Sequence, residues 1–242
     1  MRHDWQLTVS ASDQISDAVE LIPGWTSQEQ LMSLFNLTLA TAHLDGDIIE
    51  VGSWCGRSAI AIGFAIKQLK NAHLHCVDLF PAKRDWYKNV DGSYSFKVQV
   101  KEKLIEAYQD QTVWAEPFHQ EVLPVYEIHE ESEEIFRHNT RHCGLGNYIS
   151  PHKGNLTTFL ESVSPEFKVR MAFIDGDHSY ESVCSDISLI ETRLVSGGWL
   201  CFDDAFSSYD GVDKAIREKI IESNQYDVYQ QLTRKLFVAR KR

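Results

Sequence analysis

The chain has 242 residues, 43% of them hydrophobic, which suits one sizeable domain with a large core. A formal net charge of −11 argues against nucleic acid as a partner, because binding a phosphate backbone draws on basic patches. Cys55, Cys76, Cys143, Cys184 and Cys201 are odd in number and lack C-x-x-C spacing, so no disulfide framework is expected and a reducing compartment is favoured. No apolar run approaches the ~20 residues of a membrane helix, and the opening Met1-Arg-His-Asp-Trp-Gln has no signal-like core. The expectation is a soluble, cytoplasmic protein with a small-molecule substrate and no membrane partner, either monomeric or a homo-oligomer.

Residues 1–44 form an N-terminal segment that holds one helix. Ile22-Pro23-Gly24 marks a turn, and Ser27 with Gln30 has capping-box spacing. Leu31, Leu34, Phe35 and Leu39 then share a helical face. Asp47-Ile-Ile-Glu-Val51 reads as a buried strand, followed by a turn from Gly52 to Gly56 and a helix running from Ala59 to about Lys70. Strand, glycine turn and helix together aim free backbone N–H groups at a ligand lying across the helix N-terminus. The pattern is Glu50-x-Gly52-Ser53-x-x-Gly56-x-Ser58, not the G-x-G-x-x-G of dinucleotide binders. Its carboxylate suits a cationic or hydroxyl-rich ligand better than a pyrophosphate. Ala72–Asp78 is a second strand ending in an acid. One β–α–β step past the turn, Asp78 is placed to hold a ribose's hydroxyls, or else it is a helix cap or loop acid.

Residues 81–130 interrupt the alternation with eight aromatics, Trp86, Tyr87, Tyr94, Phe96, Tyr108, Trp114, Phe118 and Tyr126. A structureless connection of this length would be unusual, so an ordered insertion is expected, with a helix over Val98–Tyr108. The acidic run Glu127–Glu134 leads into a helix from Ser132 to about His142 and reads as a solvated face. Tyr148–Lys153 is a short strand, Leu156–Val163 a helix and Val169–Asp175 an apolar strand. Tyr180–Leu194 is helical, with Val183, Ile187, Ile190 and Leu194 on one face. Gly197–Asp204 is a strand, Val212–Ile221 a helix, and Tyr226–Gln231 with Lys235–Arg240 a terminal hairpin. Five β–α steps and a hairpin predict an α/β fold with a doubly wound, mostly parallel, seven-stranded sheet, in one domain spanning 1–242. Ligands bind such sheets beyond the carboxyl ends of the strands, where Glu50, Asp78, Asp175 and Asp203 fall.

The sharpest pattern is Ile174-Asp-Gly-Asp-His-Ser-Tyr-Glu181 with Gly197-Gly-Trp-Leu-Cys-Phe-Asp-Asp204. Asp175, Asp203 and Asp204 either converge on a hard divalent cation such as Mg²⁺ or Ca²⁺, or stand as separate acids at strand ends. His178 has the imidazole pKa that suits a proton acceptor, and alternatively caps the following helix. Gly154-Asn155 either contacts an adenine edge or forms a turn and helix cap. Trp54 and Arg57 either line the ligand or pack the turn. His3, His73, His75, His119 and His129 show no metal-ligand spacing.

The glycine-turn pattern resembles the first motif of the class I S-adenosylmethionine-dependent methyltransferases. With the two acidic strand ends added, roughly residues 45–80 and 147–240 resemble the macrocin O-methyltransferase-like branch, which includes metal-dependent enzymes acting on sugar hydroxyls of macrolides and aminocoumarins. The resemblance implies a Rossmann-like methyltransferase fold and a cofactor site from Glu50, Gly52, Ser53, Gly56, Ser58, Asp78, Gly154, Asn155 and Asp175. It further implies Mg²⁺ on Asp175, Asp203 and Asp204, with Asp177 as general base. Catechol-type relatives carry an Asn as last ligand and a Lys as base, where this chain has Asp204 and His178. That departure favours the sugar-modifying branch and leaves the base open between Asp177 and His178. The expected activity is Mg²⁺-dependent O-methylation of a small-molecule hydroxyl, with 81–130 as a substrate lid. A catechol O-methyltransferase, a nicotinamide-linked oxidoreductase and a non-catalytic cofactor-binding protein are the alternatives.

Overall fold

In the computed structural model, which describes residues 2–106 and 112–242, a seven-stranded sheet carries helices on both faces. The chain opens with helix α1, Arg2–Val19, an element that the mixed composition of residues 1–26 conceals. Helix α2, Gln28–Ala40, starts at the expected cap: Ser27 Oγ accepts from Gln30 N and Gln30 Oε1 from Ser27 N. Strand β1 is Asp47–Val51, helix α3 Arg57–Leu69 and strand β2 Leu74–Asp78. After the insertion come helix α5, Ser132–His142, strand β6, Ile149–Lys153, helix α6, Leu156–Leu160, and strand β7, Val169–Ile174. Helix α7, Tyr180–Glu191, strand β8, Leu194–Phe202, helix α8, Asp210–Ala215, and the hairpin of β9, Tyr226–Gln231, with β10, Phe237–Lys241, complete the chain. Strand order is β6-β2-β1-β7-β8-β10-β9, parallel except for β10, which runs antiparallel to both its neighbours.

Alternation along the strands assigns side chains to two cores. Ile48, Cys76, Met171, Phe173 and Cys201 pack against α1, α2, α3 and α5, while Ile49, Val77, Ala172, Ile174 and Leu200 pack against α6, α7 and α8. A buried sheet covered on both faces accounts for the near-continuous apolar runs of β1 and β7. Successive strand ends are stapled to one another: Gly154 N donates to Asp78 O, Gly52 N to Val77 O, Asp175 N to Val51 O and Asp203 N to Ile174 O. This row aligns the acids along one edge.

The insertion is ordered, but the expected helix over Val98–Tyr108 is absent from its described part. Strands β3, Trp86–Lys88, β4, Tyr94–Val100, and β5, Lys103–Glu106, form a separate antiparallel sheet. Ser95, Val98 and Val100 are buried and Gln99 is exposed, a half-buried strand pattern that a helical count misreads. Lys101, at φ +54°, turns the β4–β5 hairpin, and Tyr108 lies outside the described residues. A helical turn α4, Ala115–Pro117, and further turns to Glu127 follow. Several boundaries also differ from expectation, and α6 ends at Leu160 rather than Val163. α7 ends at Glu191, so Leu194 begins β8, and Lys235 lies in the turn before β10.

Candidate active site

The turn between β1 and α3 is built from inside. Glu50 is buried, accepts from Ser53 Oγ at 2.6 Å and from Cys76 Sγ at 3.3 Å, and interacts with Ser58. Burial raises its pKa, while the Ser53, Ser58 and Cys76 contacts oppose the rise. Gly52 sits at φ +85°, where a Cβ would fall 2.0 Å from the Asp175 carbonyl oxygen. Only glycine lets the turn pass this close to β7. Asp78 holds the turn from the other side: its Oδ2 accepts from Ser53 N at 2.8 Å and Trp54 N at 2.9 Å, and its Oδ1 from Phe80 N at 2.6 Å. Asp78 is thus neither a helix cap nor an exposed loop acid.

Beyond this turn lie two cavities that share Gly52, Asp78, Phe96 and Gly176. The first, about 310 Å³, is lined by Asp78, Leu79, Gly154, Asn155, Asp177 and Asp186 among others. Asn155 also caps α6, accepting from Thr158 N at 3.0 Å, so both readings of Gly154-Asn155 are compatible. Asp177 Oδ1 accepts from Ser179 N at 2.6 Å, and its Oδ2 is buried without a partner. Burial and then Asp177 push the Asp186 carboxyl up to about 7.

The second cavity, about 460 Å³, runs from the turn to the acids on β7 and β8. Four of the six tryptophans, Trp25, Trp54, Trp86 and Trp114, line it. Trp25 stacks on Trp54 with ring centroids 4.8 Å apart and donates to Glu121 Oε2 at 2.5 Å, joining the N-terminal segment, the turn and the insertion. Arg57 also borders this cavity, with its guanidinium turned to the N-terminal segment. It donates to the carbonyls of Val19, Ile22 and Thr26, fastening the end of α1 to the turn.

At the acidic end Asp175, His178 and Asp204 present ligand-type atoms all within 4.8 Å of one another. Asp203 is buried and stands behind them, with Oδ1 accepting from Gln30 Nε2 at 2.6 Å and Oδ2 from Lys235 Nζ at 2.9 Å. Lys235 Nζ also reaches Asp204 Oδ1 at 3.3 Å, and His178 Nε2 lies 3.1 Å from Asp204 Oδ2. Tyr209 stacks on the His178 ring at 3.9 Å. Burial, then Asp203, holds the Asp175 carboxyl well above the usual carboxylate range. Burial raises Asp204 too, but His178 and Lys235 outweigh it and its pKa is lowered. Burial opposes the Lys235 ammonium, yet Asp203 and Asp204 prevail and push its pKa up to about 12.

A family model described as "Methyltransferase domain" matches residues 49–205, which contain the turn, Asp78 and every acid just described. The chain belongs to the methyltransferase domain family. No curated protein matches its sequence. Among solved structures it is similar to the O-methyltransferase NovP, with 16% identity, a TM-score of 0.59, and 90% of this chain and 83% of NovP covered. An O-methyltransferase from Bacillus cereus in complex with SAH is similar at 13% identity and TM-score 0.56, covering 97% of this chain and 91% of that one. CalS11, a TDP-rhamnose 3'-O-methyltransferase of calicheamicin biosynthesis, is similar at 12% identity and TM-score 0.55, covering 96% and 93%. At these identities the structures establish the fold, a seven-stranded Rossmann-like methyltransferase sheet.

In this methyltransferase Gly52, Ser53, Ser58, Asp78, Asp175, His178, Asp203 and Asp204 border the second cavity, and Asp78, Gly154, Asn155 and Asp177 the first. Glu50 and Gly56 border neither. Glu50 supports the turn from below, and a Cβ on Gly56 would fall 3.1 Å from Phe136 Cδ2. Residue patterns alone miss Gln30, Lys235, Tyr209 and Trp25. Gln30 shows a capping signal, but its second bond, to Asp203, spans 173 residues and leaves no local trace.

Proposed function

We propose that this methyltransferase is an S-adenosylmethionine-dependent O-methyltransferase, assisted by a divalent cation, acting on a hydroxyl of a small molecule such as a sugar or glycoside. The observation that carries this is one chamber bordered at one end by the glycine turn and Asp78 and at the other by Asp175, His178, Asp203 and Asp204. S-adenosylmethionine supplies an electrophilic methyl group. Asp78 suits its ribose, since Oδ1 accepts a single backbone bond and a carboxylate oxygen has room for more. Leu79, Gly154 and Asn155 suit the adenine side, and Ser53 with the turn the methionine side.

A divalent cation fits the acid set. Asp175, Asp203 and Asp204 together with Lys235 leave a deficit of two positive charges when all are ionised, and the raised Asp175 pKa reflects burial first and then the neighbouring Asp203. Carboxylate-rich ligation suits Mg²⁺, with Asp175 and Asp204 placed to hold it and Asp203 behind them. Such an ion lowers the cost of forming an alkoxide from a bound hydroxyl. His178 donates from Nε2 to Asp204, 3.1 Å away, which leaves the partnerless Nδ1 to take the departing proton while Asp204 stabilises the imidazolium. Asp177 suits this less, because it borders the other cavity and is turned to Ser179. The insertion, with Trp86, Phe96 and Trp114 in the chamber wall, serves as lid and selects the acceptor through aromatic faces that suit the apolar side of a sugar ring. The five free thiols accord with a reducing, cytoplasmic setting. Methyl transfer is expected to stop on chelation and return with Mg²⁺. Full turnover in metal-free protein would remove the cation from this account.

A further inference from the structure

The acid site already contains a cation of its own. Each oxygen of Asp203 and Asp204 faces a donor, and the single ammonium of Lys235 serves one oxygen of each, at 2.9 and 3.3 Å. Among the described residues no side-chain donor is set against Asp175 in the same way. Lys235 is not on a free arm. Its carbonyl accepts from Ala205 N at 3.0 Å, and Gln231 Nε2 donates to both Ala205 O and Arg234 O, so its turn is tied to the segment that carries the acids. Its side chain is 22% exposed and that of Asp203 3%, so solvent screens the pair weakly.

We propose that Lys235 is a resident counter-cation that competes with the divalent ion for Asp203 and Asp204, holding the unloaded site together and keeping its metal affinity low. This rests on the metal site proposed above. Three carboxylates gathered in a partly buried space repel one another, and one ammonium relieves part of that repulsion. An incoming divalent ion gains less from acids already paired than from unpaired ones, and it is itself repelled by the ammonium. Removing only the charge should therefore tighten metal binding and make the metal-free protein more dependent on the ion.

The test uses the full chain saturated with S-adenosylhomocysteine, and Mn²⁺ as the spectroscopic probe for Mg²⁺. Free Mn²⁺ is followed by electron paramagnetic resonance against wild type, Lys235→Met, Lys235→Gln and Lys235→Arg. The proposal expects at least tenfold tighter Mn²⁺ binding in the Met and Gln variants and near-wild-type binding in the Arg variant. It also expects the metal-free Gln variant to melt below wild type and to regain more on adding Mg²⁺ than wild type does. The Gln variant keeps a hydrogen-bond donor for Asp203, so the question stays answerable if Lys235→Met fails to fold. Unchanged or weaker Mn²⁺ binding in the folded neutral variants would overturn the proposal, and so would equal tightening by Arg, which keeps the charge. If wild type and variants bind S-adenosylhomocysteine but none binds Mn²⁺, the metal site and this inference both fall, while cofactor use stands.

Discussion

Replacing Gly52 with alanine is expected to weaken S-adenosylhomocysteine binding at least a hundredfold, ~2.7 kcal/mol, in a chain that keeps its α/β circular dichroism. The cause is close approach of two backbones. At φ +85° an alanine is strained in any case, and its Cβ would fall 2.0 Å from the Asp175 carbonyl oxygen and 2.5 Å from its carbonyl carbon. Neither atom belongs to a flexible side chain, so the turn must lift from β7. The Ser53 and Trp54 amides, which Asp78 orients, would move with it. A thermal shift distinguishes local displacement from global loss, and calorimetry reads the affinity. Wild-type affinity in Gly52→Ala would mean that this turn does not shape the cofactor site.

His178→Ala is expected to lower kcat by about 10²–10⁴, the range for removing a general base, while leaving S-adenosylhomocysteine affinity within twofold. Asp177→Asn is expected to cost less than tenfold in kcat, because Asp177 borders the other cavity and accepts from Ser179 N at the start of α7. The contrast between the two variants carries the assignment. A large loss of kcat in Asp177→Asn beside a small one in His178→Ala would transfer the base role to Asp177. Both proteins are compared at saturating cofactor, so that kcat and KM separate.

Much of the fold follows from patterns visible in the residues. Ile48 and Ile49 face opposite cores, and both are fully buried because helices cover both faces of the sheet. That leaves the apolar run and terminal acid as the readable marks of β1, and the same marks reveal β2, β7 and β8. The Ser27–Gln30 cap was legible because a capping box is local. The misreading at Val98–Val100 has an equally local cause. A short segment with buried Val98 and Val100 around exposed Gln99 satisfies a period of two, and only strand pairing with Lys103–Glu106 shows which period applies. The site was legible where chemistry sits at strand ends, as with Asp78, Asp175 and Asp204. It was opaque where a side chain arrives from elsewhere. Gln30, on α2, and Lys235, in the last hairpin, meet at Asp203 only after the sheet has formed. Trp25 likewise reads as a loop residue until it is found stacked on Trp54. Glu50 shows a further limit, since its position at a strand end suggested ligand contact while its burial makes it a support for the turn.

Methyl transfer from S-adenosylmethionine to an acceptor hydroxyl is open to a labelled-cofactor screen. Purified protein with Mg²⁺ and methyl-labelled S-adenosylmethionine is offered nucleotide sugars, glycosides and catechols, with S-adenosylhomocysteine release and label position read together. Label is expected on a hydroxyl oxygen of a sugar-bearing acceptor, with one S-adenosylhomocysteine per methyl transferred and loss of both on chelation; no other position of the label fits. Label on nitrogen or carbon, or calorimetric binding of NAD with none of S-adenosylmethionine, would contradict O-methyl transfer.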